Sequence, residues 1–237
     1  MPFPCRTVAS LFMHIGLLGA TGPAGMALAA RLASVGHDIT IGSRSKYRAL
    51  EVRDTIVEEW PGRDLGIDSG DNADAADAEL VVIATPWNAA TETAHNARDH
   101  LRGKIVICMS NALSKVGREF QPLVPPRGSV SASVQAELPE SYVAAAFHHV
   151  PAKELAHLDD PVESDILICS DHQKATVTVS EIVRGIPGMR PLDAGELSNA
   201  TAIEAFTAVL LQLNVRYKTR VALQLVGIPD DDEAADG

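Results

Sequence analysis

The chain has 237 residues, 46% hydrophobic and 22% charged, with a formal net charge of −11. That is enough for one domain, with or without a small addition, and for a substantial core, while the acidic balance excludes a protein built to hold nucleic-acid phosphates. Cys5, Cys108 and Cys169 are scattered with no CxxC pair, which argues against a disulfide framework or a zinc site and for a reducing cytoplasm; no apolar run is long enough to cross a bilayer.

Residues 1–12 read as an N-terminal extension and not as a signal peptide, because a strand follows at once. That strand, HIGLLG at 14–19, breaks into the turn Gly19-Ala20-Thr21-Gly22-Pro23-Ala24-Gly25, and a helix closed by Gly36 follows. A strand, a glycine turn and a helix within about thirty residues make a dinucleotide-binding unit. Gly19 permits the tight turn, Gly22 lets the backbone approach a pyrophosphate, and Gly25 lets the helix pack on the strand. The helix N-terminus adds N–H groups and positive potential.

The second strand, HDITIGSR, selects the nucleotide. An Asp or Glu at its end would bind the free ribose hydroxyl of NAD(H), but this chain has Gly42-Ser43-Arg44-Ser45-Lys46. Ser43 and Arg44 suit a 2′-phosphate, and Lys46 adds charge, so the expected cofactor is NADP(H).

A helix at 45–60, a weak strand at 65–68 and a buried strand at 79–87 follow, the last ending in Thr85, Pro86 and Trp87. Next come a helix at 87–101 and a strand at 104–110, before Asn111. The alternation predicts an α/β, Rossmann-type doubly wound, mainly parallel sheet. Beyond it the pattern predicts a helix at 129–138, strands at 142–150 and 165–170, and a helix at 172–185. A last long helix starts at Ser198-Asn199, good N-cap residues, and carries Ile203, Phe206, Leu210, Leu213, Tyr217 and Val221 on one face. The division is then 13–150 for the NADP-binding domain, 151–228 for a smaller part on the same sheet, and 229–237 for an acidic disordered tail. His148 and His149, adjacent on a strand, point to opposite faces and cannot share a metal without a break in that strand. Trp87 reads as a core or pocket-wall residue.

Together LLGATGPAG, IGSR, IATPW, FHHVPAKELAHLD and RPLDAGELSN resemble the NADPH:F420 oxidoreductases, from about Met13 to Ile228. The resemblance implies a Rossmann domain with a small C-terminal helical part, reversible hydride exchange between NADP(H) and the deazaflavin coenzyme F420, and a homodimer. By position it implies that Thr21, Ser43 and Arg44 hold NADP and that Pro86 lines the nicotinamide side. It also implies that His148 and Val150 lie near the deazaflavin ring and that Ser198 and Asn199 close the site. His149, where archaeal members have Thr, and SNALS at 110–114, with fewer prolines, depart from the pattern. Hydride transfer between planar rings needs them held in place and water excluded, so no catalytic triad is expected. Two competing readings are an NADPH-dependent reductase of a small carbonyl or imine and a non-catalytic NADP-binding sensor. The first needs a general acid and a large helical second domain, where the part after residue 196 offers one long helix and a tail; the second needs no deazaflavin pocket.

Overall fold

The computed structural model describes residues 12–229; residues 1–11 of the predicted extension and 230–237 of the acidic tail lie outside the described residues. In chain order the first half runs β1 (His14–Leu18), α1 (Pro23–Ser34), β2 (Asp38–Ser43), α2 (Lys46–Glu59), β3 (Ile67–Asp71), α3 (Asn72–Ala76), β4 (Leu80–Ile83), α4 (Trp87–Leu101) and β5 (Ile105–Cys108). Then follow β6 (Leu113–Val116), β7 (Glu119–Pro122), α5 (Val130–Glu137), β8 (Tyr142–Ala145), α6 (Ala152–Ala156), β9 (Ser164–Ile168), α7 (Gln173–Arg184), β10 (Met189–Asp193) and α8 (Ala200–Tyr217). Six strands form one sheet in the order β3-β2-β1-β4-β5-β8, and every pairing in it is parallel.

The local sequence explains these elements. LVVI in β4 and IVIC in β5 are wholly buried, as central parallel strands with helices on both faces must be. Pro23 opens α1, where its missing N–H costs nothing. Gly36, at φ 99°, closes it: its N–H reaches the Ala33 carbonyl and that of His37 the Leu32 carbonyl, the two bonds of a Schellman turn. Ser45 caps α2, and Asp71 with Asp74 forms a capping box on α3. The short helix α3 lies hard against the sheet because Gly16 and Gly42 leave room; a Cβ on Gly16 would strike the Ala75 carbonyl.

The second half departs from the sequence pattern in four places. First, the strand expected at 142–150 stops at Ala145, and Phe147 adopts a left-handed φ of 61°. Second, β9 and β10 do not extend the main sheet but form a two-stranded parallel sheet, joined to it by one antiparallel bridge between Ala145 and Cys169. Third, β6 and β7 make an unforeseen hairpin. Fourth, α8 ends at Tyr217 and not at Val221, and it follows a 3-10 turn, Leu197–Asn199, in which neither Ser198 nor Asn199 caps the helix through its side chain. The Asn199 amide donates instead to the Ala194 carbonyl.

What fastens α8 is Glu204, a buried carboxylate that accepts from the N–H groups of Val130 and Ser131 and from the Ser131 hydroxyl, at 2.8–3.0 Å. It thus satisfies the free donors that begin α5 and faces that helix's positive end. Burial raises its pKa, against the three donors that favour the charged form.

Candidate active site

The chain builds β1 to β3 outward in one direction, then returns to add β4, β5 and β8 on the other side. Loops at the carboxyl ends therefore part between β1 and β4 and open a crevice, where such sheets take their ligands. The glycine turn, Ser43-Arg44, Thr85-Pro86, Asn111 and His148 all follow the ends of strands on this edge.

In the turn each glycine has its own constraint. Gly19 sits at φ 68°, a Cβ there would collide with Thr85 Cγ2, and its N–H meets the Gly42 carbonyl at 2.9 Å and Asn72 Oδ1 at 3.2 Å. A Cβ on Gly25 would come within 2.7 Å of Ala20 Cα, so helix and turn touch there. Around Gly22 a Cβ would meet nothing within 4 Å. No side chain caps α1, and its first bond back runs from the Met26 N–H to the Gly22 carbonyl. The N–H groups of Ala24 and Gly25 thus lack intrahelical acceptors and project beyond the helix end. Open space beside uncapped donors fits a pyrophosphate. Asn72, which braces Gly19, opens a helix of only five residues.

At the end of β2, Ser43 is buried and its Oγ accepts from the Ser45 N–H, while Arg44 is exposed. Lys46 is not a free charge. It pairs with Asp74 at 2.7 Å and Asp71 at 3.2 Å, and these partners, Asp74 first, raise its pKa. The charge expected of Lys46 is therefore spent on the capping carboxylates of α3.

A cleft of about 470 Å³ runs from Ala24 past Asn111, His148 and Val150 to Thr207 and Arg220. The turn through Phe147 swings the two histidines apart. His148 is buried and neither ring nitrogen makes a hydrogen bond of normal geometry, while the backbone of Met109 and Ser110 favours its charged form. Burial, and next the neighbouring His149, pushes its pKa down to about 3, so the imidazole is neutral throughout the physiological range. His149 instead donates from Nε2 to the Asp165 carbonyl at 2.7 Å. The His148 carbonyl accepts from Asn111 Nδ2 at 2.8 Å and from Thr207 Oγ1 at 3.2 Å, which ties β5, this turn and α8 together. Among the described residues no group of three or more His, Cys, Asp or Glu side chains could hold a metal ion.

Arg31 supports this turn from behind. It is 2% exposed, and its guanidinium donates to the carbonyls of Glu154, Leu155, His157 and Asp160 at 2.5–3.1 Å. Those carbonyls belong to α6 and the loop after it, just beyond Val150. In sequence Arg31 looks like an ordinary charge near a helix end. Pro86 and Trp87 start α4, and Trp87 is 37% exposed, so it is not a core residue. Ser198 and Asn199 are exposed and do not line the cleft.

Residues 14–112 match the profile of a family described as NADP oxidoreductase, coenzyme F420-dependent. Over 213 residues the chain is 36% identical to the F420-dependent NADP reductase of Methanocaldococcus jannaschii, which covers 88% of this chain and 95% of that one. The chain belongs to the F420-dependent NADP reductases. The reductase of that name from Methanothermobacter marburgensis is 32% identical over 224 residues, covering 92% of this chain and all of the relative. A solved structure from Arthrobacter sp. FB24, a candidate F420-dependent NADP reductase, shares the fold at a TM-score of 0.77 and 23% identity, over 90% of this chain and 100% of that one. For a member of the F420-dependent NADP reductases the crevice is laid out coherently. The glycine turn and the apolar-walled cleft adjoin, and Ala24 belongs to both.

Proposed function

We propose that the protein catalyses reversible hydride transfer between NADP(H) and coenzyme F420. One observation carries the reading: a single crevice joins an uncapped, open glycine turn to a cleft walled by a neutral, unpartnered imidazole. When bound, NADPH supplies the hydride and the deazaflavin accepts it, ring to ring. The chain's own residues hold and orient. The α1 N-terminus with Thr21, Gly22, Pro23 and Ala24 cradles the pyrophosphate. Ser43 and Arg44 take the 2′-phosphate. Thr85, whose buried Oγ1 has no partner, and Pro86 flank the nicotinamide. His148 offers its free nitrogens to a polar ring edge, and Val150 supplies apolar wall. Asn111 and Thr207 fix the His148 turn and so the ring's position, the main source of acceleration when no covalent step occurs.

In this reading residues 13–150 hold NADP and residues 151–228 supply the second wall of the deazaflavin cleft. The protein works as a cytoplasmic homodimer. Cys108 and Cys169 are buried free thiols, as a reducing compartment favours. Phe206 and Val209 on α8 are 40% and 48% exposed, an apolar strip suited to a second copy. No helix among the described residues is long and apolar enough to cross a membrane.

The test follows the label from 4-deuterated NADPH. Deuterium should appear on the deazaflavin in a single turnover. Its loss to solvent, or no consumption of F420 at all, would overturn the reading.

A further inference from the structure

The outer end of the cleft is basic in a chain whose net charge is −11. Lys153 and Arg220 line the cleft, and a second hollow lined by Glu154, Lys218, Thr219 and Arg220 continues it. Three cations thus face one carboxylate. Glu154 holds Arg220 through Oε1 at 2.8 Å, while its Oε2 is buried without a partner.

This mouth is pre-organised. The Asn214 carbonyl accepts from the N–H groups of Lys218 and Thr219, and Asn214 Oδ1 accepts from the Val221 N–H at 2.7 Å. Lys218 ends α8 at φ 52°, a left-handed position that glycine occupies most easily. A lysine there bears a backbone cost that glycine would avoid. The helix dipole favours a cation near this end, but several other positions in the last turn would satisfy the dipole without that cost.

We propose that Lys153, Lys218 and Arg220 bind the anionic side chain of the deazaflavin cosubstrate, its phosphodiester and carboxylates, while the inner cleft beside His148 takes the ring. This rests on the F420 reading above and assigns the outer half of the same site. Partly exposed cations at a rim mainly set association rate, salt dependence and selectivity.

The experiment titrates the full chain with two fluorescent ligands, F420 and its side-chain-free deazaflavin alcohol, at low and high salt. F420 should bind more tightly than the alcohol, and salt should weaken F420 far more. Lys218→Gly should weaken F420 about three- to fivefold relative to the alcohol without lowering thermal stability. Adding Lys153→Ala should bring the loss to about tenfold. Glu154→Gln, which removes the opposing carboxylate, should tighten F420. An unchanged F420-to-alcohol ratio in both lysine variants, together with equal salt dependence of the two ligands, overturns the subsite and leaves the hydride-transfer reading standing. Failure of F420 to bind overturns both.

Discussion

Arg31→Met removes a guanidinium while keeping most of the unbranched stem that packs in α1. Four backbone carbonyls, of Glu154, Leu155, His157 and Asp160, would lose their donor. Hydrogen bonds to a charged donor contribute about 1.5–3 kcal/mol each when measured singly. They do not add, and the variant recovers the cost of burying the charge, a cost seen in the lowered Arg31 pKa, for which burial is the leading cause. The net loss should be about 3–5 kcal/mol, because four carbonyls are left without their donor. In a domain of this size that lowers Tm by roughly 10 °C. The freed segment follows directly on His148–Val150, so the KM for F420 should rise more than the KM for NADPH. Urea and thermal unfolding measure the first effect and steady-state kinetics the second. A stability loss below about 1 kcal/mol with an unchanged F420 KM would refute the role given to Arg31.

Four further outcomes are expected. Gly22→Val should fold normally, because its Cβ enters open space, yet lose NADPH in a binding titration, whereas Gly25→Val, forced against Ala20, should show a sharply lowered Tm. Arg44→Ala should weaken NADPH relative to NADH by about 2 kcal/mol or more; equal losses for the two would reject the 2′-phosphate assignment. Because the folded pKa of His148, about 3, lies below its unfolded value, its contribution is intact above the unfolded pKa and declines as pH falls and only the unfolded chain takes up the proton. The decline is about 2 kcal/mol between pH 6.5 and 5. His37 and His149 shift the same way, and denaturant unfolding of His148→Gln should show a shallower pH slope by one proton. Light scattering at micromolar concentration should give twice the chain mass, and Phe206→Asp should give one chain mass.

The first half of the fold was legible because central parallel strands must be apolar on both faces, and β1, β4 and β5 are. The glycine turn was legible for a related reason: Gly19 and Gly25 are each demanded by a backbone contact or conformation that other residues cannot meet. The second half hid its breaks. YVAAAFHHV is one apolar run, and nothing in it marks Phe147 as left-handed, since the usual signal for positive φ is Gly or Asn. The β6–β7 hairpin is largely exposed and of mixed polarity, so it carries no periodic signal. Asn72, Arg31, Glu204 and Thr207 were missed for a common reason: each acts on a backbone group far along the chain, and a polar residue on a helix looks solvated until that partner is known.

Helix α1 serves as a spacer. Its N-terminus opens at the glycine turn, and nine residues after Gly22 comes Arg31, which grips the segment behind the cleft. At helical rise that span is about 13 Å. Inserting or deleting one residue between Gly25 and Arg31 would change the spacing by about 1.5 Å and swing the guanidinium about 100° around the axis, away from all four carbonyls. Most single substitutions along PAGMALAARLAS leave the length alone, but an indel of any composition detaches one compartment from the other. Lineages of this chain should therefore hold the number of residues in α1 as strictly as they hold Gly25 and Arg31.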